Sequence, residues 1–348
     1  MVRIDGSIGE GGGQILRTAL SLSMITGIPF HINRIRANRR IPGLRPQHLA
    51  AINAARKISK AETQGVYLNS NSIFFSPKSI FSGSYSFNVG TAGSAILVLQ
   101  TILAPLSMAN SASSVSITGG THVPWSPSYE YLKYTWTPFM HEIGLDFLLS
   151  LESAGFYPQG GGKIQAVIRP IRNPKPLDYV QRGKLLTISG FSAVANLDKS
   201  IAGRQKLRAL NILYDSKLGI DNSKIKIKLN HLPSQFKGST LFLNAAYENS
   251  RGGFFSLGKK GKLAEKVAEE AVNSLLKFHN DGGAVDWYMA DQLLLPVSLI
   301  NDRSQFSTSK ITNHFHTNRE VVSFFLPVKI ETSKQTNGNT HISVERLD

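Results

Sequence analysis

Three segments of this chain follow one order: a glycine-rich turn, an apolar helix carrying a glutamine, and a short turn into a strand. They read "GEGGGQILRTALSLS", "GTAGSAILVLQTILAPLS" and "GGAVDWYMADQLLLPVSLI". Internal self-similarity of this kind restricts the fold more than any single element does. After each helix comes a strand and then a polar loop, in "FHINRIRANRRIPG", "SVSITGGTHVPWSP" and "QFSTSKITNHFHTN". The loop leads into a second helix, "PQHLAAINAARKIS", "SPSYEYLKYTWTPFMHEIG" and the shorter "NREVVSFFL". Two strands of alternating pattern follow, such as "VKIETSKQ" and "NTHISVERL". The expected fold is α/β (α+β), with three βαβαββ repeats forming one large domain.

The spacing of the glutamines is uneven. Gln14 and Gln100 are 86 residues apart, whereas Gln100 and Gln292 are 192 apart, so roughly 100 residues are inserted between the second and third copies, enough for a small domain. The insert is placed at 184–280, leaving 1–183 and 281–348 as the large, discontinuous domain. It has elements of its own: strand "KLLTISGFSAV", helix "GRQKLRALNILYDSKLG", strands "KIKIKLN" and "STLFLNAAY", and a helix from Lys262 to Phe278. That last helix has apolar residues at helical spacing and lysine near its C-terminal end, and reads as structural.

Composition narrows the chemistry. The chain has 348 residues, 41% of them hydrophobic, as expected of a globular core. The lack of cysteine removes disulfides, thiolate nucleophiles and Cys-type zinc sites together. Any metal must bind oxygen or imidazole, which favours a hard cation such as Mg or Mn. The longest apolar run, "AILVLQTILAPL", is broken by Gln100 and Pro105 and falls short of the roughly 20 residues a membrane-crossing helix needs. The start, "MVRIDGSIGEGGG", has no apolar stretch ahead of a small-residue cleavage site, so a cytoplasmic protein without a signal peptide is expected. A formal charge of +16 and an isoelectric point near 9.9 attract polyanions. Nucleic acid is the natural candidate, and an inert basic surface the plain alternative.

Four stretches carry side chains suited to chemistry. "GEGGGQILR" sets glycines before a helix, where bare N–H groups and the positive helix end can face an anion, with Glu10 able to hold a divalent cation and Arg17 one turn further in. "RIRANRRIPGLRPQHL" holds five arginines between residues 34 and 45, ahead of the helix that begins near Pro46, and arginine grips phosphate bidentately. "YMADQLLLP" offers Tyr288 for stacking and Asp291 and Gln292 for hydrogen bonds to a sugar or base, although taken locally an N-terminal helix turn with an acidic residue placed for the dipole accounts for it better. "HFHTN" is expected at the end of a strand, which would put His314 and His316 on one face. A two-imidazole metal site, a nucleophile for phosphorus and a plain surface pair all remain open there.

Together these stretches resemble one family, the RNA 3′-terminal phosphate cyclases. The matching segments are "IDGSIGEGGGQILRTALSLSMITGIPF", "IRANRRIPGLRPQHL", "GTAGSAILVLQT", the "GGT" with Pro127 six residues on, "GFYPQGGG", "YMADQLLLP" and "HFHTN", running from residue 4 to residue 318 in the family's order. The resemblance implies the same architecture of three units plus an inserted small domain. It implies that ATP adenylates a histidine, that AMP passes to an RNA 3′-phosphate, and that the vicinal 2′-OH attacks to give a 2′,3′-cyclic phosphate and AMP. The nucleophile of the family's H-x-x-T-N pattern falls on His314, not His316. Glu10 matches the ligand of a divalent metal, Mg or Mn. Arg17, Arg36 and Arg39 match the phosphate- and RNA-binding cations, with His48 close behind. Gln100, Pro127, Tyr288, Met289, Ala290, Asp291 and Gln292 match the residues around the adenosine of ATP. The chain departs from the pattern in "GGTHVPWSP", where Trp125 and Ser126 precede Pro127, and in "NDRS", which leaves the turn after the third helix without a glycine.

The implied partners are ATP and RNA with a 3′-phosphate end. The rival readings are a catalytically inactive cyclase-like protein that binds RNA in ribosome assembly, a plain RNA-binding scaffold governed by basic charge, and a histidine-bound zinc hydrolase, which has no third ligand in view.

Overall fold

Glycine and proline mark where the first helices begin. The structure, a computed structural model, describes residues 1–347. β1 (Val2–Asp5) runs into the glycine-rich turn, and α1 (Gly13–Thr26) starts after Gly12, so no side chain caps its N-terminus. β2 (Phe30–Asn33) leads through the arginine loop to α2 (Pro46–Ser59), which begins on a proline where the missing N–H forfeits no helical hydrogen bond. β3 (Glu62–Gln64) and β4 (Ile73–Ser76) complete a sheet of order β1-β2-β4-β3.

Next come β5 (Ser84–Asn88), α3 (Ala95–Ser107) and β6 (Ser113–Gly119). A helical stretch follows, from α4 (Tyr129–Tyr131) through a π-helical turn (Leu132–Trp136) to α5 (Thr137–Glu142). With β7 (Phe147–Ser153) and β8 (Gly162–Ile168) it yields a sheet of order β5-β6-β8-β7. β9 (Asp178–Tyr179) is the short edge of a third sheet.

The chain then forms β10 (Leu185–Ala195), α6 (Lys199–Asp215), β11 (Ile225–His231), β12 (Gly238–Tyr247), β13 (Arg251–Leu257) and α7 (Ala264–Asp281), with a sheet of order β11-β10-β12-β13. A separate apolar cluster around Ile188, Leu213, Leu241 and Phe278 lies within residues 185–278. The third sheet is completed by β14 (Ser304–Thr308), β15 (Val328–Lys334) and β16 (Thr340–Arg346), together with α8 (Trp287–Val297) and α9 (Asn313–Phe325). Its order is β15-β16-β14-β9. In each of the three sheets outside 184–280, the first two strands in chain order pair in parallel and the other pairs are antiparallel. Among the described residues no helix is long and apolar enough to cross a membrane.

Two elements differ from the sequence reading. β14 ends at Thr308, and "HFHTN" lies in the first turns of α9 rather than at a strand end. Thr312 starts this helix, its Oγ1 accepting the Phe315 N–H at 3.1 Å, and Phe315, Val322 and Phe325 recur at helical spacing and are buried. Two residues apart on a helix, His314 and His316 point about 200° apart. His316 is exposed, so a joint two-imidazole site is ruled out. The second difference is β13, absent from the sequence reading, which pairs antiparallel with β12 from Thr240–Leu257 to Ala246–Arg251.

Pro105 falls in the last turn of α3 rather than ending it, and has no N–H to offer the Thr101 carbonyl. Ser21 of α1 fills that role, donating to Thr101 O at 2.6 Å in a buried contact that ties the two helices together. Ser21→Ala is expected to lower unfolding stability by about 1–3 kcal/mol, because the buried carbonyl is then unpaired. In a Pro105→Ala background, where a backbone N–H becomes available, urea unfolding should show a smaller loss.

Candidate active site

Three helices sink into the core on every side but one. In α3 all residues but Leu97 and Gln100 are buried, in α8 all but Trp287, Tyr288, Gln292 and Leu295, and in the first half of α1 all but Gly13, Gln14 and Arg17. These stripes face one cavity of about 930 Å³. The helical period that packs the core thus also lines the hole. Glu10, Arg17, Arg36, Arg39, His48, Gln100, Pro127, Tyr288, Asp291, Gln292 and His314 all border it. Met289 and Ala290 do not; both are buried on the core side of α8.

His314 sits in the first turn of α9 and meets the opening loop. Its Nδ1 lies 2.5 Å from Gln14 Oε1 and 2.5 Å from Glu10 Oε2. Both neighbours are acceptors, so in the neutral ring Nδ1 carries the proton and Nε2 keeps the lone pair. Burial lowers the His314 pKa; Asp291 opposes the shift, while Arg17 and Arg39 reinforce it. The neutral imidazole therefore prevails at neutral pH.

Gly9 permits this approach. Its φ is +52°, and a Cβ there would fall 2.1 Å from Thr317 Oγ1. The same hydroxyl accepts the Glu10 N–H at 3.0 Å. Next to it, Asn318 Oδ1 accepts from Thr18 Oγ1 at 2.6 Å and Asn318 Nδ2 donates to Asp291 O at 2.9 Å. Thr317 and Asn318 thus join α9 to the loop, α1 and α8. Burial raises Asp291 to about 7, with Asp286 adding to the shift and His314 and Arg17 opposing it. Burial likewise lowers Arg17 to about 10, which leaves it charged at neutral pH.

The arginine loop is partly self-supporting. Arg36, at φ +57°, donates to Ile41 O at 2.8 Å and Gly43 O at 2.9 Å. Arg39 pairs with Glu10. His48 is not a cation: burial, with Arg17, Arg36 and Arg45 nearby, lowers it to about 3. Its Nδ1 accepts the Arg45 N–H at 3.1 Å, so Nε2 carries the proton and is turned toward Gly13. In all, five arginines and three carboxylates border the cavity. The uncapped N-terminus of α1 opens beside them, a suitable arrangement for phosphate.

The far wall also holds a residue that sequence reasoning passed over. Asp286 caps α8, accepting the N–H groups of Tyr288 at 3.0 Å and Met289 at 2.9 Å, and it also accepts from the buried Tyr131 hydroxyl. Burial pushes Asp286 up to about 6. An aspartate directly before "WYMADQ" is a helix-start signature that could have revealed it. Gln100 Nε2 donates to Gln292 Oε1 at 2.8 Å. Gln14 was visible only as the mark of a repeat.

The loop leading to Pro127 rests on a buried chain in which Thr121 Oγ1 lies 2.8 Å from His122 Nδ1 and His122 Nε2 lies 2.7 Å from Glu130 Oε2. Burial pulls Glu130 upward, but its attraction to His122 and their hydrogen bond outweigh this, and its pKa is lowered.

No group of three or more His, Asp or Glu side chains gathers as a metal site among the described residues. Glu10 is the side chain that suits a cation: its Oε2 is sealed from solvent yet lacks a hydrogen bond of good geometry. A hard ion held there would draw its remaining oxygen ligands from phosphate and water.

The family model described as RNA 3'-terminal phosphate cyclase matches residues 8–332 of this chain. Among curated proteins, the RNA 3'-terminal phosphate cyclase of Koribacter versatilis is 44% identical, covering 97% of this chain and 93% of its own. The protein of the same name from Sulfurisphaera tokodaii is 43% identical, covering 96% of each. That of Methylococcus capsulatus is 41% identical over 93% of this chain and 91% of its own.

Asn318→Ala removes the partner of both the Thr18 hydroxyl and the Asp291 carbonyl. A stability loss of about 2 kcal/mol is expected, read from the urea unfolding midpoint, because both groups are buried.

Proposed function

As this chain belongs to the RNA 3′-terminal phosphate cyclase family, we propose that it uses ATP to convert an RNA 3′-terminal phosphate to a 2′,3′-cyclic phosphate through a covalent adduct on His314. The observation that carries this reading is the His314 ring, kept neutral by burial and arginines, with Nδ1 held by acceptors and Nε2 free. A neutral imidazole nitrogen beside a cluster of cations suits attack on a phosphorus whose oxygens must be screened.

In the first step Nε2 bonds to the α-phosphorus, the bond to the bridging oxygen breaks, and pyrophosphate leaves. An oxygen of the RNA 3′-phosphate then takes the AMP, breaking the N–P bond and restoring the ring. Last, the 2′-OH attacks the 3′-phosphorus, its proton passing to water, and AMP leaves as the ring closes. Arg17, Arg36 and Arg39 supply positive charge for the phosphates, and His48 adds a neutral donor. Tyr288, Gln292, Gln100 and Pro127 border the space assigned to adenosine. A divalent ion, Mg or Mn, would be held by Glu10 and would neutralise phosphate charge.

The same reading organises the chain. Residues 1–183 and 281–348 make up three βαβαββ units, supported by the shared strand order of their sheets, and 184–280 is an inserted domain, supported by its separate apolar cluster. A cytoplasmic location belongs to this proposal.

Incubation with ATP labelled at the α-phosphate tests it and separates the enzyme from an inactive relative that binds RNA. His314→Ala is expected to abolish protein-bound label while His316→Ala retains it; equal labelling of wild type and His314→Ala refutes the assignment. The rate of labelling should fall at low pH with a midpoint below the ordinary imidazole value of about 6.5, because the folded ring resists protonation. Protonation of Asp291 near 7 withdraws a nearby charge that favours the imidazolium, and so shifts the midpoint further the same way.

A further inference from the structure

Trp125, at the border of the cavity, has no task in the chemistry above. It is 99% exposed, and its φ of +64° is a left-handed conformation that bulky residues rarely hold. Neither feature benefits the folded chain by itself: the indole buries nothing, and its backbone is strained. The strain is held from below by the Thr121–His122–Glu130 chain and by Ser94 Oγ 2.5 Å from Ser126 Oγ. A large flat ring is thus fixed on a braced loop with its faces bare. Among the described residues, apart from asparagines and the Lys60 helix cap, the other left-handed non-glycine residues are Arg34 and Arg36, in the arginine loop. Arg36 and the exposed Arg40 border the same cavity as Trp125.

We propose that Trp125 is a stacking platform for a nucleobase of the RNA strand, at or next to the 3′ end whose phosphate enters the cavity. This rests on the cavity being the site of cyclisation. Bare aromatic faces next to cations recognise single-stranded nucleic acid generally, the ring taking a base of any sequence and the arginines its phosphates. RNA is favoured over the adenine of ATP because the nucleotide must reach His314 inside, whereas a strand entering by its end leaves its bases at the mouth, where the indole lies open to solvent.

The test compares wild type with Trp125→Ala and Trp125→Phe in the full chain. Indole emission is followed during titration with a 3′-phosphorylated oligoribonucleotide without ATP, then with ATP without RNA. Trp125→Phe supplies the background of Trp136 and Trp287. RNA should quench the Trp125 component and ATP should not. In turnover, Trp125→Ala should raise the KM for RNA roughly tenfold with kcat little changed, the usual effect of removing one stacked base, while Trp125→Phe keeps most of the affinity. Labelling by ATP and the melting temperature should match wild type. An RNA KM within twofold of wild type, quenching by ATP instead of RNA, or a parallel loss of labelling would overturn the proposal. The titration requires no chemistry, so it tests Trp125 even if His314 takes no label, an outcome that would instead defeat the functional reading.

Discussion

The opening loop lies against a helix that follows it by about 300 residues, and the site exists because that contact holds. Gly9 comes close enough to Thr317 that no side chain would fit, and from there Glu10, Gln14 and Thr18 each meet a residue of α9. Several of these groups are buried and polar, so each depends on the others for a partner, and a half-formed contact would leave unpaired donors and acceptors. The fold thus enforces the contact by making its absence expensive. His314 is oriented as a consequence, since the residues that seal the junction also hold Nδ1.

The charges around that ring have two effects. Arg17 and Arg39 disfavour the imidazolium and so preserve a lone pair, and the same guanidinium groups give the cavity its attraction for phosphate. The acidic groups on the α8 side offset that charge only in part, because burial raises Asp286 to about 6 and Asp291 to about 7, and Asp291 is therefore partly protonated at neutral pH. His48 shows the limit of reading charge from residue type: among arginines it is a neutral donor.

Helices with strong local signals were legible. The stretch from "PQHL" to "ARKIS" is α2, bounded by Pro46 and an apolar stripe, and the glycine before each of the first two cavity-lining helices marked their starts. The start of α9 was missed because "NHFHTN" has no apolar alternation or run, and its helix is fixed by the Thr312 cap and by Phe315 finding the core. The missed β13 contains "RGGFF", whose glycines weaken any strand signal; a Cβ at Gly253 would fall 2.0 Å from Thr135 Oγ1, so the glycine serves a close approach rather than the strand. Gln14, Asp286 and Asn318 carry no local sign of the contacts they make. Their significance lies in partners 300, 155 and 300 residues away.

Composition, periodicity and motif by themselves determined the class of fold, the helices that would line a site, the residue types able to bind phosphate, and the absence of thiol chemistry. Local interactions govern those properties, and they recur wherever the same pattern is written. Tertiary structure alone decided that His314 faces the cavity while His316 faces water, that Met289 and Ala290 belong to the core, and that His48 has no charge. Orientation and protonation depend on which distant groups exclude water from a side chain, and a linear pattern does not encode that neighbourhood.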